Sequence, residues 1–228
     1  MASSLFELNQ KKKTKLNHFS NIFFLLWIVL IGAVGSAAAQ NGVKKCRTTK
    51  YSLIYSPELI ESITVLPDSI QHTLNNHLKE TLGDGFYQKL QFDGGKLINY
   101  RQLVKQDPQV ASYKWVAPKY DLRYFISDSL AGISYCCSRI ILDSVGGIIN
   151  DIEFPSFSKN KSNAKFLPQN KLLNIARQLG FPTTNYELAI AKDHIVFIFS
   201  VKKNNKSMLY MEISVHTGEV IRKYKSAI

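Results

Sequence analysis

Apolar residues recur along this chain with two periods, and the changes of period divide it into elements. Ile70, Leu74, Leu78 and Leu82 lie four apart and line one face of a helix. That helix opens at Pro67, where a missing N–H costs nothing, and stops at Gly83. A second helix starts at Pro168, with Leu172, Leu173, Ile175, Ala176 and Leu179 as its apolar side and Gly180 as its stop. Elsewhere the period is two, or the apolar run is short. Tyr120, Leu122, Tyr124 and Ile126 alternate with other residues as a half-buried strand does. Residues 86–92, 96–100, 133–142, 186–191, 195–201, 208–215 and 220–224 read as further strands. Ile148, Ile152 and Phe154 fall on one face of another, opposite Asp151 and Glu153, and Pro155 closes it. Asp93-Gly94-Gly95 predicts a hairpin turn. Residues 101–118 are the least regular, with room for a short helix, and 156–166 form a Ser/Asn/Lys linker.

Helix followed by strands therefore occurs twice. Leu66-Pro67 and Leu82-Gly83 bracket the first helix, and Leu167-Pro168 and Leu179-Gly180 bracket the second. Each part also ends in a strand, a Gly-containing turn and an apolar strand, IILDSVGGIINDIEF and then YMEISVHTGEVIRKY. The expected fold class is α+β: two helix-plus-antiparallel-sheet halves, 57–155 and 167–228, forming one body. Residues 40–56, polar and basic at their start, predict a disordered tether ahead of them. One sheet running through both halves would hide their pairing edges.

The longest apolar run lies outside this scheme. Lys11, Lys12, Lys13 and Lys15 precede an uncharged run from Ile22 to Val34, and Gly35-Ser36-Ala37-Ala38-Ala39 leads into Gln40. A cationic start, an apolar middle and an A-x-A end make 1–39 a signal peptide for export. The alternative is a retained transmembrane anchor, because residues 22–39 just reach the length that crosses a bilayer. In both cases the globular part faces away from the cytoplasm. A Gln directly after an alanine-rich signal resembles exported proteins of some Gram-negative bacteria, which implies a periplasmic or extracellular destination.

Charge and cysteine add bounds. Residues 1–39 hold four Lys and one Glu of the chain's 29 basic and 17 acidic side chains, so 40–228 carry 25 and 16, a net +9. That favours acidic partners or anionic surfaces. Two short lysine groups, at 159–165 and 202–206, read as solvated loops, and no nucleic-acid partner is expected. Export permits a disulfide among Cys46, Cys136 and Cys137. Neighbours on a strand face opposite ways, so only one of Cys136 and Cys137 readily meets Cys46. The candidate pair is Cys46 with Cys136; the alternative is three thiols with no bond.

Catalytic patterns are missing. His72 and His77 stand five apart, which places them about 140° round a helix rather than on one metal-binding face. His194 and His216 are turn residues. There is no G-x-S-x-G elbow, no phosphate loop and no metal-ligand spacing, so no cofactor or metal is expected. A hydrolase would have to assemble Cys136 or Cys137 with His194 or His216 through folding. Tyr113, Trp115 and Tyr120, in and after the irregular region, form the candidate binding surface, since Tyr and Trp join large contact area to a polar handle.

Residues 171–224 resemble a PepSY-type unit: an N-terminal helix, antiparallel strands, and the ending LYMEISVHTGEVI at 209–221. The resemblance covers about a quarter of the chain, and the first half follows only by analogy. It implies a small exported module that binds or restrains other proteins, proteases included, and it carries no catalytic residues. The expected function is thus a non-enzymatic periplasmic or envelope protein-binding module, possible roles being to restrain a peptidase or to sense the envelope. The alternatives are the Cys/His hydrolase and a basic envelope protein that holds anionic lipid or glycan. The expected partner is a protein of the cell envelope, with membrane contact only through an uncleaved N-terminal segment.

Overall fold

In the computed structural model, which describes residues 41–113, 116–157 and 164–227, the four-residue spacing of Ile70, Leu74, Leu78 and Leu82 becomes the buried stripe of helix α1 (Asp68–Leu82). Gly83 ends it at φ +77°, and its N–H returns to the Lys79 carbonyl. A short turn, α2 (Asp84–Tyr87), follows and sinks Phe86 fully into the core. The sequence predicts a strand over 86–92. The apolar positions there belong instead to α2 and to the start of β3 (Gln91–Leu97).

Asp93-Gly94-Gly95 is not a hairpin turn. β3 runs straight through it, and the register against the next strand slips between Phe92 and Gly95. Positive φ at Gly94 (+82°) makes a bulge here, since glycine serves a bulge as readily as a turn. A Cβ on Gly95 would stand 2.8 Å from the Asp121 carbonyl oxygen.

The first sheet takes β1 (Val43–Lys44), β2 (Glu58–Ile60), β3, β4 (Tyr120–Asp128) and β5 (Ile133–Leu142) in the order β1-β5-β4-β3-β2, with β6 (Ile148–Asn150) paired to β5. All pairings are antiparallel except that of β1 with β5. α3 (Tyr100–Gln106) is the short helix of the irregular region, capped by Asn99 accepting from the Gln102 N–H. Helix α4 (Gln169–Gln178) buries Leu172 and Ala176. The second sheet is antiparallel, β7 (Tyr186–Ala191), β8 (His194–Asn204), β9 (Ser207–Ser214) and β10 (Val220–Ala227), in the order β10-β9-β8-β7. The fold is mixed α and β, with antiparallel sheets and few helices.

The expected tether is structured. β1 pairs with β5 through Val43 and Lys44, and Tyr51 and Tyr55 are buried in a small second core with Ile98, Leu103 and Val110. Nor do the sheets share one ladder; residue 41 joins them. The Asn41 amide donates to the Thr184 carbonyl at 3.0 Å and its oxygen accepts from the Tyr186 N–H at 2.9 Å, beside β7. The next residue, Gly42, accepts from the Ser134 and Tyr135 N–H groups of β5. A Cβ at Gly42 would lie 2.1 Å from the Gly132 carbonyl oxygen, and its φ is +72°, so only glycine fits this seam. The main core crosses from Leu122 and Ile140 to Phe197, Phe199 and Met211.

Candidate functional site

Residues 46–55 form a strap that crosses the outward face of the first sheet. Along β5, Leu142, Ile140, Ser138 and Cys136 are buried on the inward side, so Cys137 and Arg139 face the strap. Cys46 bonds Cys137, which corrects the expected pairing with Cys136; Cys136 stays a buried free thiol. Parity along β5 already separates the two, because Cys136 matches Ile140 and Leu142. Beyond the bond, Arg139 donates to the Arg47 carbonyl at 2.9 Å and Lys96 to the Thr49 carbonyl at 3.3 Å. Tyr51 then donates to Asp121 at 2.9 Å, and Asp121 forms a 2.8 Å ion pair with Arg139. Burial first, then the charge and hydrogen bond of Asp121, raise the Tyr51 phenol above its ordinary pKa. A cleft of about 360 Å3 lies along the strap, lined by Lys44, Arg47, Arg139 and Glu153 among others.

The three aromatics of the expected surface do not share a site. Tyr113 is 53% exposed, Tyr120 is 7% exposed within the main core, and Trp115 lies outside the described residues. Tyr120 has the parity of Leu122, Tyr124 and Ile126, and that parity takes it inward.

The Cys and His residues are also dispersed. Burial, with Glu153 adding and Lys44 opposing, pushes the Cys136 thiol up to about 12. His194 Nδ1 lies 3.2 Å from Ser214 Oγ, and His216 Nδ1 lies 3.1 Å from the Lys165 carbonyl, its ring against Phe157 and Phe166. Among the described residues neither ring is in hydrogen-bonding reach of Cys136. His72 contacts Asn76, and His77 contacts Asp151 at 2.9 Å. Asp151 and Glu153 diverge, since Glu153 pairs with Lys44 at 3.2 Å. Ile148 is exposed while Ile152 and Phe154 are buried, because β6 ends at Asn150. Among the described residues no group of three or more His, Cys, Asp or Glu could hold a metal ion.

Among the strands that end the sheets, β2 and β10 stand out for their exposed side chains. β2 ends the first sheet, with Leu59 exposed, and Leu53 and Ile54 are exposed just before it. β10 ends the second sheet with most of its side chains exposed. On its outward face Tyr224 stacks on Tyr210 with ring centroids 5.1 Å apart and planes 11° from parallel. Arg222 sits 4.4 Å over the Tyr224 ring and bonds both oxygens of buried Glu212. That carboxylate holds the guanidinium protonated, raising its pKa. No family model, no curated protein and no solved structure matches the chain.

Proposed function

We propose that this chain is a non-enzymatic exported module that binds a protein of the cell envelope. The observation that carries the reading is a pair of sheet-ending strands, β2 and β10, that among the described residues pair on one side only and expose most of their side chains. Exposed edges offer unpaired N–H and C=O groups in a row, which a protein either guards or uses. Near β2 the use is favoured, since Leu53, Ile54 and Leu59 stand in solvent within seven residues. The second half, with helix α4 ahead of four antiparallel strands, follows the PepSY-type order, and α1 ahead of β3, β4, β5 and β6 follows it by analogy. On that reading the two halves are related units, and restraint of a peptidase or sensing of the envelope is the role they imply. Residues 1–39 supply export, as a cleaved signal or as a retained anchor. Among the described residues no helix is long and apolar enough to cross a membrane.

The test uses the full chain in a Gram-negative host. Fractionation should place it in the periplasm or membrane, and a photocrosslinking residue at Leu59 should give one reproducible protein adduct. Cytosolic product, or no adduct at Leu59, Leu53 and Lys223 alike, overturns the reading.

A further inference from the structure

Five lysines gather where the second sheet finishes. Lys202 and Lys203 end β8, Lys206 lies in the turn to β9, and Lys223 and Lys225 lie on β10. Register brings four of them to one end, since Lys202 stands opposite Met208, Met208 opposite Ser226, and Asn204 opposite Ser207, which faces Ala227; Lys223 lies further along β10, opposite Met211. All five are exposed, and none forms an ion pair among the described residues. Of the acids near β10, Glu212 is held by Arg222, Glu219 lies beyond the strand's other end, and Glu187 lies on β7, in line with Ile198, Glu212 and Arg222, where its charge reaches Tyr224.

We propose that β10 accepts an extended acidic segment of a partner protein as a fifth strand of this sheet. This deepens the protein-binding reading above and rests on it. Successive side chains of a strand point to opposite faces. Arg222 and Tyr224 therefore flank an added strand on one face, and Lys223 and Lys225 flank it on the other. Glutamates on either face of the incoming strand meet a cation, and the backbone of β10 supplies the ladder. The same charges guard against the wrong partner. Two copies of β10 paired edge to edge would set lysines against lysines and arginine, which is unfavourable. The edge is thus closed to its own kind by charge and open to an acidic strand by geometry. The Tyr210–Tyr224 stack and the Arg222–Glu212 pair hold the strand against β9 beyond the register slip between Val220 and Arg222, which lowers the ordering cost of binding.

The test is fluorescence anisotropy with the full chain, purified after export, and a labelled ten-residue peptide alternating Glu with Thr and Val. One control peptide replaces Glu by Gln, and a second carries an N-methyl group on every amide, so that neither edge can form a ladder. Binding should appear only with the unmethylated acidic peptide and weaken with salt. Lys223→Glu with Lys225→Glu should weaken it about tenfold or more. Lys105→Glu with Lys171→Glu, an equal change of charge on α3 and α4, should leave it within about twofold. Circular dichroism checks that both variants fold. Equal binding of the methylated peptide overturns the proposal, since that is attraction of a polyanion without a ladder. So does binding to phosphatidylglycerol vesicles with none to the peptide. If all peptides fail while the Leu59 adduct persists, this inference falls and the protein-binding reading stands; if both fail, both fall.

Discussion

Protonated side chains whose pKa is raised by burial, the Tyr186 and Tyr224 phenols included, make this protein's sensitivity to alkali a residue-scale property. Cys136, Tyr51 and Tyr124 lie inside the fold, and burial is the first cause that raises each of their pKa values. Tyr135, more exposed, is pushed up to about 12 by burial and by the hydrogen bond it donates to Asp93 at 2.6 Å. Each of these acids is neutral when protonated, so burial favours keeping the proton. The unfolded thiol loses its proton near 9 and the unfolded phenols near 10, while the folded chain retains them. Above those values the folded state binds more protons than the unfolded one, and stability falls as pH rises. The stabilisation is fully present below about pH 9 and is lost from there upward, through about 12 for Cys136. The urea midpoint should therefore stay level from pH 7 to 8.5 and then drop. Each group that titrates only when unfolded adds about 1.4 kcal/mol per pH unit to the slope. Cys136→Val should flatten the stretch between pH 9 and 10, before the phenols join. Equal slopes there for variant and parent would mean that the thiol is not held in the core.

At the scale of elements, the strap is the part whose order depends most on a single bond. Cys46 and Cys137 are 91 residues apart, and closing a loop of that size removes about 4–5 kcal/mol of unfolded-chain entropy in the simplest account. Cys46→Ser should lower unfolding stability by about 3–5 kcal/mol, and a reductant should lower the parent to the same level. Thiol counting in denaturant should find one free thiol in the parent and none in Cys136→Ser. Two or more free thiols in the parent would refute the bond. Nothing in the composition of 40–56 announced this element, because its Arg47 and Thr49 carbonyls are held by Arg139 and Lys96 of the sheet, and Tyr51 by Asp121, rather than by a hydrophobic stripe. The helices were legible for the opposite reason. Ile70, Leu74, Leu78 and Leu82 need no partner's identity to declare a face, and β4 and β5 likewise lie where alternation placed them. Glycine pairs were ambiguous, since Gly94 at positive φ suits a bulge and a hairpin equally. For the site, the strand at 220–224 was readable, but the freedom of its edge and of its lysines was not. Those depend on which strand ends the sheet, a fact of the tertiary order.

On the scale of the whole molecule, the two sheets unfold together or apart according to what crosses between them. Among the described residues, contacts of several kinds cross besides the shared apolar core. The Asn41 side chain joins the loop before β7 to the segment that enters β1. A backbone bond runs from the Gln169 N–H at the start of α4 to the Leu130 carbonyl in the turn between β4 and β5. Rings form another kind. Phe86 of α2 packs against Phe157 and Phe166, and both of those pack against His216 after β9. A core continuous through such contacts should melt in one step. Phe197→Ala, a fully buried ring in β8, should cost about 3–5 kcal/mol. Hydrogen exchange should show that loss equally at Ile140 in β5 and at Ile213 in β9, although only Ile213 sits on the strand paired with the substituted residue. Asn41→Ala removes two of the crossing hydrogen bonds and leaves the rings, so it should cost only about 1–3 kcal/mol and keep the single transition. Loss of protection confined to Ile213 in the Phe197 variant would instead make each sheet its own cooperative unit. The seam at residues 41–42 would then be a hinge between two bodies, and strand addition at β10 would leave the first sheet untouched.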